Sequence, residues 1–533
     1  MSYRPFQRAA ATALLTPALL FPLAARATTD AEIAELRAMI DQMKAQYETR
    51  ISELETRLAN AERAAARPAP EPATRDPAES RPMTAPSVMG AKTGEPPKSV
   101  FGSLGSGNAF NPQIAVILNG NYYQDDIDGE GATLVGEAYQ PGSGGHDHAA
   151  DDGHAHGMTE NGFNFQEAEL SFSGTVDPYF DASLYLSVDG YGNVDLEEGW
   201  FQTRSLPYGL RIKGGKFLSD FGYINRQHPH QWDFVDQNLP YLNLLGVHGL
   251  NDTGLQFTWL TPLPVYTLVG MEALTGDQEV FGATVSDAEQ AELNLGKTKD
   301  GPQLWTAFAK MAPDIGRNHA LQFGVSYAHA NQQQLVLGHT HAEDATTVDD
   351  HDHAEMHADD GHMGDVHEPL LEIEQETGLA GDAGLWGIDL VYKYDGGGAH
   401  GKGDVKFQSE YLRSIKDLDV RASAHEEALG SSRKYTTDGL YAQAIYGFAP
   451  KWTAGLRYDV LGLTNKVSGG VNERFGASDR WTLDVSWSLS EFSRLRAQYA
   501  YNDILVEPNQ RERFNAFYLQ FLMSLGSHGS HRF

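Results

Sequence analysis

The stretch RWTLDVSWSL, residues 480–489, alternates polar and apolar side chains at every step. Trp481 and Trp487 stand towards the two ends of its apolar face, and the polar face carries Arg480 and Asp484. A period of two indicates a β-strand with one apolar face, and a strand of about ten residues can cross a bilayer. Aromatic residues near the ends of the apolar face are typical of a strand that faces lipid, whereas a soluble sandwich places its aromatics inside at mid-strand.

The same alternation recurs along the chain from about residue 110 onward. It predicts about sixteen strands, each with one apolar and one polar face. They are 113–123, 164–176, 181–189, 196–204, 209–217, 252–260, 265–273, 302–311, 318–330, 384–395, 403–414, 436–448, 452–462, 479–489, 493–503 and 513–525.

The connections between these strands are mostly short and long in turn. Short connections include VDPYFD, SLPYG and TPLPV, and the long ones span 125–163, 218–251, 274–301, 331–383 and 415–435. Short turns on one rim and long loops on the other are typical of an outer-membrane barrel, whose short turns face the periplasm. We therefore predict an all-β transmembrane barrel of antiparallel strands over residues 101–533, with both chain ends on the periplasmic side.

The residues before the barrel divide into three parts. Residues 1–27 have the arginines, the apolar run and the Ala-Arg-Ala site of a secretory signal, and two prolines in the run disfavour the alternative of an uncleaved anchor helix. Residues 28–63 carry apolar side chains at heptad spacing, which predicts a periplasmic coiled coil that joins copies into a homotrimer. The alternative is one amphipathic helix packed on the next domain. Residues 64–100 are rich in proline and alanine and predict an extended linker.

Composition excludes several classes of protein. The 72 acidic residues outnumber the 40 basic ones, which gives a net charge of −32 and argues against a nucleic-acid partner. A mean hydropathy of −0.42 excludes a membrane protein built of many helical spans. The chain has no cysteine, so it has neither disulfides nor thiolate metal sites.

Two of the long loops are rich in histidine and aspartate. Eleven of the 20 histidines lie in them, interleaved with carboxylates, and imidazole with carboxylate suits zinc and other divalent metals. The alternative is a solvated acidic loop in which histidine has no role. The predicted metal ligands are His146, His148, Asp151, Asp152, His154, His156, His339, His341, His351, His353, His357, His362 and His367.

A third loop, 218–251, holds a smaller candidate set. If it folds inward, His228, His230, Asp233 and Asp236 could meet an ion in the pore, although ordinary loop histidines are an equal alternative. Strand parity places charges of both signs on the lumen side, as in a water-filled pore, without the continuous basic ladder that a phosphate pore requires. These side chains are Glu167, Glu169, Arg211, Lys213, Asp389, Lys393, Lys406, Glu410, Arg457, Asp459, Asp484, Arg494 and Arg496.

This organisation resembles the phosphate-selective porin family (O/P type). The stretch LRIKGGKFLSDFGYINRQHPHQWDFVD, residues 210–236, is similar to that family's strand before the loop that folds into the pore. The same HPHQWDFVD segment and the ending MSLGSHGSHRF resemble a group of relatives labelled zinc-regulated outer-membrane receptors, whose extracellular loops are rich in histidine and aspartate. The resemblance implies a channel in the outer membrane of a Gram-negative bacterium.

The sequence therefore predicts a porin-like channel for passive uptake of small solutes or ions, whose outer loops bind and concentrate divalent metal, in particular zinc. No enzymatic activity and no required cofactor are expected, because no nucleophile with its base stands out. The alternatives are an energised, TonB-dependent-type metal receptor and an anion- or phosphate-selective porin. The residues before the barrel leave no room for the plug that an energised receptor needs. Expected partners are outer-membrane lipid, further copies of the chain and peptidoglycan.

Overall fold

The computed structural model describes residues 112–143, 159–337, 377–423, 426–469 and 472–526. The predicted signal peptide, coiled coil and linker lie outside the described residues. No helix in the described part of the chain is long and apolar enough to span a membrane.

Eighteen strands form one antiparallel sheet. They are β1 Gln113–Asp125, β2 Gly162–Thr175, β3 Phe180–Val188, β4 Val194–Thr203, β5 Leu210–Leu218, β6 Asn251–Leu260, β7 Tyr266–Leu274, β8 Leu304–Ala312, β9 His319–Leu337, β10 Thr377–Tyr394, β11 Val405–Ala422, β12 Ser432–Ala449, β13 Trp452–Leu461, β14 Lys466–Ser468, β15 Glu473–Arg474, β16 Ser478–Ser490, β17 Ser493–Glu507 and β18 Gln510–Gly526. The helices are α1 Gly131–Gly136, α2 Leu239–Leu245 and α3 Asp287–Glu292, and single 3-10 turns lie at Pro207–Gly209, Pro229–Gln231, Ala399–Gly401 and Glu426–Ala428.

The sheet closes on itself into a barrel. Strand β1 pairs with β2 on one side and with β18 on the other, so that Tyr122 lies between Phe163 and Leu519. Strand β13 pairs directly with β16, and the short strands β14 and β15 form a hairpin in the loop between them. Sixteen long strands therefore make the wall, as the sequence predicts, and closure leaves no long strand of the described chain at an open edge of the sheet.

The two faces of the wall differ in polarity. On β16 the outward Leu483 is 55% exposed, whereas the inward Asp484 is 3% exposed. The exposed outward side chains are mostly large and apolar, and include Phe201, Leu255, Phe257, Trp259, Met271, Trp305, Val325, Trp386, Ile388, Tyr446, Leu456, Trp481, Leu483, Val485, Phe517, Leu519 and Phe521. Trp452 stacks on Trp487 across neighbouring strands, with ring centroids 5.3 Å apart. An apolar exterior of this extent is what a barrel presents to lipid.

The two rims differ in the length of their connections. On one rim the connections are 176–179, 204–209, 261–265, 313–318, 395–404, 450–451 and 491–492, all of them short. On the other rim, 126–161, 219–250, 275–303, 338–376 and 462–477 are long, while 189–193, 423–431 and 508–509 are short. The predicted alternation therefore holds apart from these three connections, and the predicted long loop 415–435 is wrong, because β11 continues to Ala422 and β12 begins at Ser432.

Strands β9 and β10 are longer than the alternation of polar and apolar residues predicts. Their pairing continues to Leu337 opposite Thr377, beyond the predicted end of β9 at residue 330. The side chains of Gln332, Gln333 and Gln334 accept hydrogen bonds from backbone groups of the 275–303 loop. Because these three glutamines are all polar, the extension has no period-two pattern that the sequence could reveal.

Candidate functional site

Residues 219–250, here called the inserted segment, fold into the barrel. Glu410 on β11 accepts hydrogen bonds from the backbone N–H groups of Tyr223 (2.7 Å) and Ile224 (2.9 Å) and from the hydroxyl of Tyr241 (2.8 Å). Because β11 lies far round the wall from β5, where the segment begins, these bonds carry the segment across the lumen. The structure therefore shows the inward folding that the sequence analysis raised as a possibility for this loop.

An apolar core inside the barrel holds the inserted segment in place. Phe221, Leu239 and Tyr241 of the segment are fully buried against inward side chains of the wall, such as Leu385 and Leu412. Helix α2 within the segment begins at Asn238, whose side chain accepts a hydrogen bond from the N–H of Tyr241 at 3.0 Å. Such a cap satisfies a helix N–H that would otherwise be buried without a partner.

Gly222 permits the turn with which the segment enters the lumen. Its φ is +62°, a backbone conformation that residues other than glycine rarely adopt. Its N–H donates a hydrogen bond to the hydroxyl of Ser326 at 3.0 Å. A Cβ at this position would collide with the hydroxyl of Tyr241 and with Glu410. The Phe-Gly-Tyr sequence is therefore part of what lets the segment pass so close to the wall.

The middle of the segment rests on basic side chains of the wall. We call this group the basic wall; it comprises Lys406 on β11, Arg457 on β13, Arg480 on β16, and Arg494 and Arg496 on β17. Asp236 accepts hydrogen bonds from Arg457, Arg480 and Gln498, each at 2.8 Å. Asp233 accepts one from Lys406 at 2.6 Å.

Backbone carbonyls of the segment also bind the basic wall. Arg494 donates to the carbonyl of His230 at 2.8 Å, and Arg496 donates to that of Trp232 at 2.9 Å. Hydrogen bonds from a charged guanidinium are stronger than those between neutral groups. The basic wall therefore holds the segment by its backbone as well as by its carboxylates.

These contacts keep the two aspartates of the segment ionised. Burial opposes the charged form of Asp236, but Arg480 and Arg457 overcome it and lower its pKa from 3.8 to about 2. Burial likewise opposes ionisation of Asp233, and Lys406 lowers its pKa all the same. Both carboxylates are engaged by cations, so neither is free to bind a metal ion.

Another part of the lumen wall, on β2 and β4, is acidic. We define an acidic cluster in this region. It consists of the carboxylates of Glu167, Glu169, Glu197 and Glu198 and the imidazoles of His228 and His230 of the inserted segment. His228 Nδ1 lies 3.3 Å from Glu169 Oε2 and 3.2 Å from Glu197 Oε2, and its Nε2 lies 2.8 Å from Glu198 Oε1. His230 Nδ1 lies 3.0 Å from Glu169 Oε2.

A β-bulge brings two consecutive glutamates to the same histidine. Tyr185 on β3 pairs with Glu198, and the next residue, Leu186, pairs with Leu196, so Glu197 is the extra residue. Consecutive side chains of a regular strand point to opposite faces, but at a bulge both can point the same way. The ring of Tyr185 also stacks on that of His228, with centroids 4.8 Å apart.

The acidic cluster favours a protonated His228. Burial lowers the tendency of this side chain to bind a proton, but the carboxylates of Glu169, Glu197 and Glu198 outweigh burial and raise its pKa well above 6.5. The cluster can therefore hold positive charge in the lumen.

The four candidate ligands of the third loop thus separate into two pairs. His228 and His230 lie in the acidic cluster, and Asp233 and Asp236 lie on the basic wall. The sequence did not single out Glu197 and Glu198, although the Glu-Glu pair in DLEEGW breaks the alternation of β4 and signals a bulge. The predicted ligands in the two histidine-rich loops, from His146 to His156 and from His339 to His367, lie outside the described residues.

No model of a known protein family matches the chain. A protein of Aquifex aeolicus (strain VF5), described as an uncharacterized protein, is 31% identical over 435 residues, which is 80% of this chain and 81% of that protein.

Solved structures give more distant likenesses. The loop L8 deletion mutant of OmpT, an outer membrane protein of Vibrio cholerae, covers 78% of this chain and 100% of its own, with 10% identity and a TM-score of 0.44. The outer membrane channel DcaP of Acinetobacter baumannii covers 78% and 96%, with 10% identity and a TM-score of 0.42. The anion-selective porin from Comamonas acidovorans covers 78% and 99%, with 9% identity and a TM-score of 0.42.

Proposed function

The chain belongs to the same protein family as the uncharacterized protein of Aquifex aeolicus, and we propose that it forms a passive, porin-like channel in a bacterial outer membrane. The observation that carries the proposal is a closed barrel, apolar outside and charged inside, with an inserted segment that contacts both an acidic and a basic part of its inner wall. A soluble protein would not expose large apolar side chains over so much of its surface. A lumen lined with charges of both signs is what a water-filled pore requires.

The inserted segment narrows this lumen but leaves charged groups partly exposed. In the ion pair between Lys406 of the wall and Asp233 of the segment, the two side chains are 20% and 23% exposed. Arg226 and Asp220, at the start of the segment, are 24% and 17% exposed. These groups mark a polar path past the segment, and the pore we propose follows it.

Regions of opposite charge in the lumen would orient a permeating solute. The basic wall attracts the anionic part of a solute, and the acidic cluster attracts the cationic part. The basic wall favours a second candidate, an anion-selective channel. The four arginines and the lysine of the basic wall come from four different strands. The sequence of any one strand therefore shows no continuous series of basic residues, although the fold brings them together.

Two finer parts of the proposal concern regions outside the described residues. We propose that the histidine-rich loops bind zinc and raise its concentration above the pore, on the strength of their composition. We also propose that the heptad repeat of residues 28–63 joins three chains on the periplasmic side.

Conductance in planar lipid bilayers tests the channel. Purified full-length protein should give ohmic current with no energy source, in three equal steps if the trimer is correct. The reversal potential in a salt gradient then measures the preference for cations or anions. A protein that inserts into the bilayer but never conducts would contradict the channel proposal.

A further inference from the structure

We propose that the acidic cluster is a binding site for a divalent transition metal ion such as zinc, with His228 Nδ1, Glu169 and Glu197 as its ligands. One ligand atom from each of these three side chains lies within 4.8 Å of the others. The ligands come from three separate elements, β2, β4 and the inserted segment, so the site exists only when the segment is inside the barrel. This site lies in the lumen and is distinct from the proposed zinc sites of the outer loops.

The separations between donor atoms fit tetrahedral coordination. A zinc ion holds nitrogen and oxygen ligands at about 2.0 to 2.1 Å, so two ligand atoms on a tetrahedron are about 3.3 Å apart. His228 Nδ1 is 3.3 Å from the Glu169 oxygen and 3.2 Å from the Glu197 oxygen. The Glu169 and Glu197 oxygens lie within 4.8 Å of each other, so the three ligand atoms surround one position, and water could occupy a fourth ligand place.

Glu198 is placed to orient the histidine. Its Oε1 lies 2.8 Å from His228 Nε2, the ring nitrogen that would remain after Nδ1 binds metal. Its other oxygen accepts a hydrogen bond from the N–H of Leu218 at 3.0 Å. Metal-binding histidines in proteins commonly donate their second N–H to a carboxylate held in this way, which fixes the ring and strengthens its nitrogen as a ligand.

The charge of the cluster calls for a cation. Four carboxylates surround two imidazoles, and carboxylates gathered in a buried site are costly unless a cation compensates them. Glu197 and Glu198 make no ion pair with lysine or arginine within the described residues. Glu167 is 9% exposed, and its Oε1 has no hydrogen-bond partner in the described part of the chain. A divalent ion would supply the missing positive charge.

Calorimetric titration with zinc chloride tests the site. The protein should lack residues 144–158 and 338–376, so that the histidine-rich loops do not contribute, and its barrel is checked by heat-resistant migration on gels. We expect one equivalent of zinc, and His228→Ala should weaken its binding by about 100-fold or more. Glu198→Gln should weaken it by about 10- to 100-fold, as for other carboxylates that orient a metal-binding histidine. His248→Ala is the matched control, because His248 is an exposed histidine of the same segment, and it should leave binding unchanged.

A second measurement avoids the loop deletions. In the full-length protein, His228→Ala should lower the number of bound zinc ions by one and leave the loop sites intact. Cobalt(II) added to the loop-deleted protein should give the intense visible absorption of a tetrahedral complex, and His228→Ala should abolish it. Absence of zinc binding by the folded, loop-deleted protein, or equal affinity and stoichiometry in the His228→Ala variant, would overturn the proposal. None of these measurements depends on conductance. The metal-site proposal can therefore be refuted without refuting the channel proposal, and the channel proposal can be refuted without refuting the metal site.

Discussion

Replacing Asp236 by asparagine should release the inserted segment from the basic wall. The carboxylate of Asp236 is the common partner of Arg457 and Arg480, each at 2.8 Å, and both arginines are almost fully buried. The substitution removes the negative charge and keeps the shape. It leaves the two guanidinium groups with Asp459 as their other carboxylate partner among the described residues.

The size of the effect follows from the pKa of Asp236. Lowering a carboxyl pKa from 3.8 to about 2 corresponds to roughly 2 kcal/mol in favour of the folded, ionised form. Removing one member of a buried ion pair costs about 3 to 5 kcal/mol, because the partner's charge stays buried. The free energy of opening the segment should therefore fall by about 2 to 5 kcal/mol. In the unsubstituted protein this contribution is complete above about pH 4 and is lost as the pH falls through about 2.

Hydrogen exchange of the segment's backbone N–H groups measures this opening. A loss of about 2 kcal/mol raises exchange roughly 30-fold where local opening controls it, and larger losses raise it further. Asp417→Asn is the control, because Asp417 is an exposed residue 3.8 Å from Lys434 and such pairs contribute about 0 to 1 kcal/mol. Single-channel conductance should also rise in the Asp236→Asn variant. Exchange and conductance equal to those of the unsubstituted protein would refute the assignment of Asp236 as an anchor.

Three further predictions concern other parts of the barrel. Glu410→Gln should open the start of the inserted segment, because an amide cannot accept all the hydrogen bonds that this carboxylate receives; larger and noisier conductance steps are the expected signature, and unchanged steps would contradict it. Leu483→Arg should destabilise the folded protein in vesicles by about 2 to 4 kcal/mol in urea titrations, whereas Ser171→Arg on the lumen side should not, and equal effects would contradict the outward position of Leu483. Deleting 145–157 and 339–367 should remove most of the zinc binding measured by calorimetry and leave the barrel heat-resistant on gels. Full zinc binding after the deletion would contradict the assignment of the sites to these loops.

The barrel could be predicted from the sequence because its wall is repetitive. A lipid-facing side chain must be apolar, and its neighbour in the strand faces the lumen. The alternation within one strand, as in residues 480–489, therefore shows which side chains face lipid. The pattern fails where that constraint ends. In the extension of β9 the run Gln332–Gln334 is buried against the 275–303 loop, and it shows no alternation although it is part of a strand.

The site was harder to predict because it forms between elements distant in sequence. His228 and Asp236 are eight residues apart, yet the inserted segment brings them to different strands of the wall. No local pattern shows that His228 would meet Glu169 on β2 or that Asp236 would meet Arg480 on β16. The sequence could show that the loop holds ligand-type residues, but which of them lie together depends on the path of the segment.

Spin labels along β16 test the central claim most directly, that residues 480–489 separate lipid from lumen. The chain has no cysteine, so single cysteines at successive positions from 481 to 487 can each carry a nitroxide in protein reconstituted into vesicles. Labels at Trp481, Leu483, Val485 and Trp487 should be relaxed by oxygen, which concentrates in lipid, and labels at the positions between them should not. Loss of this period of two, or strong relaxation at Leu483 and Val485 by a water-soluble nickel complex, would contradict the account.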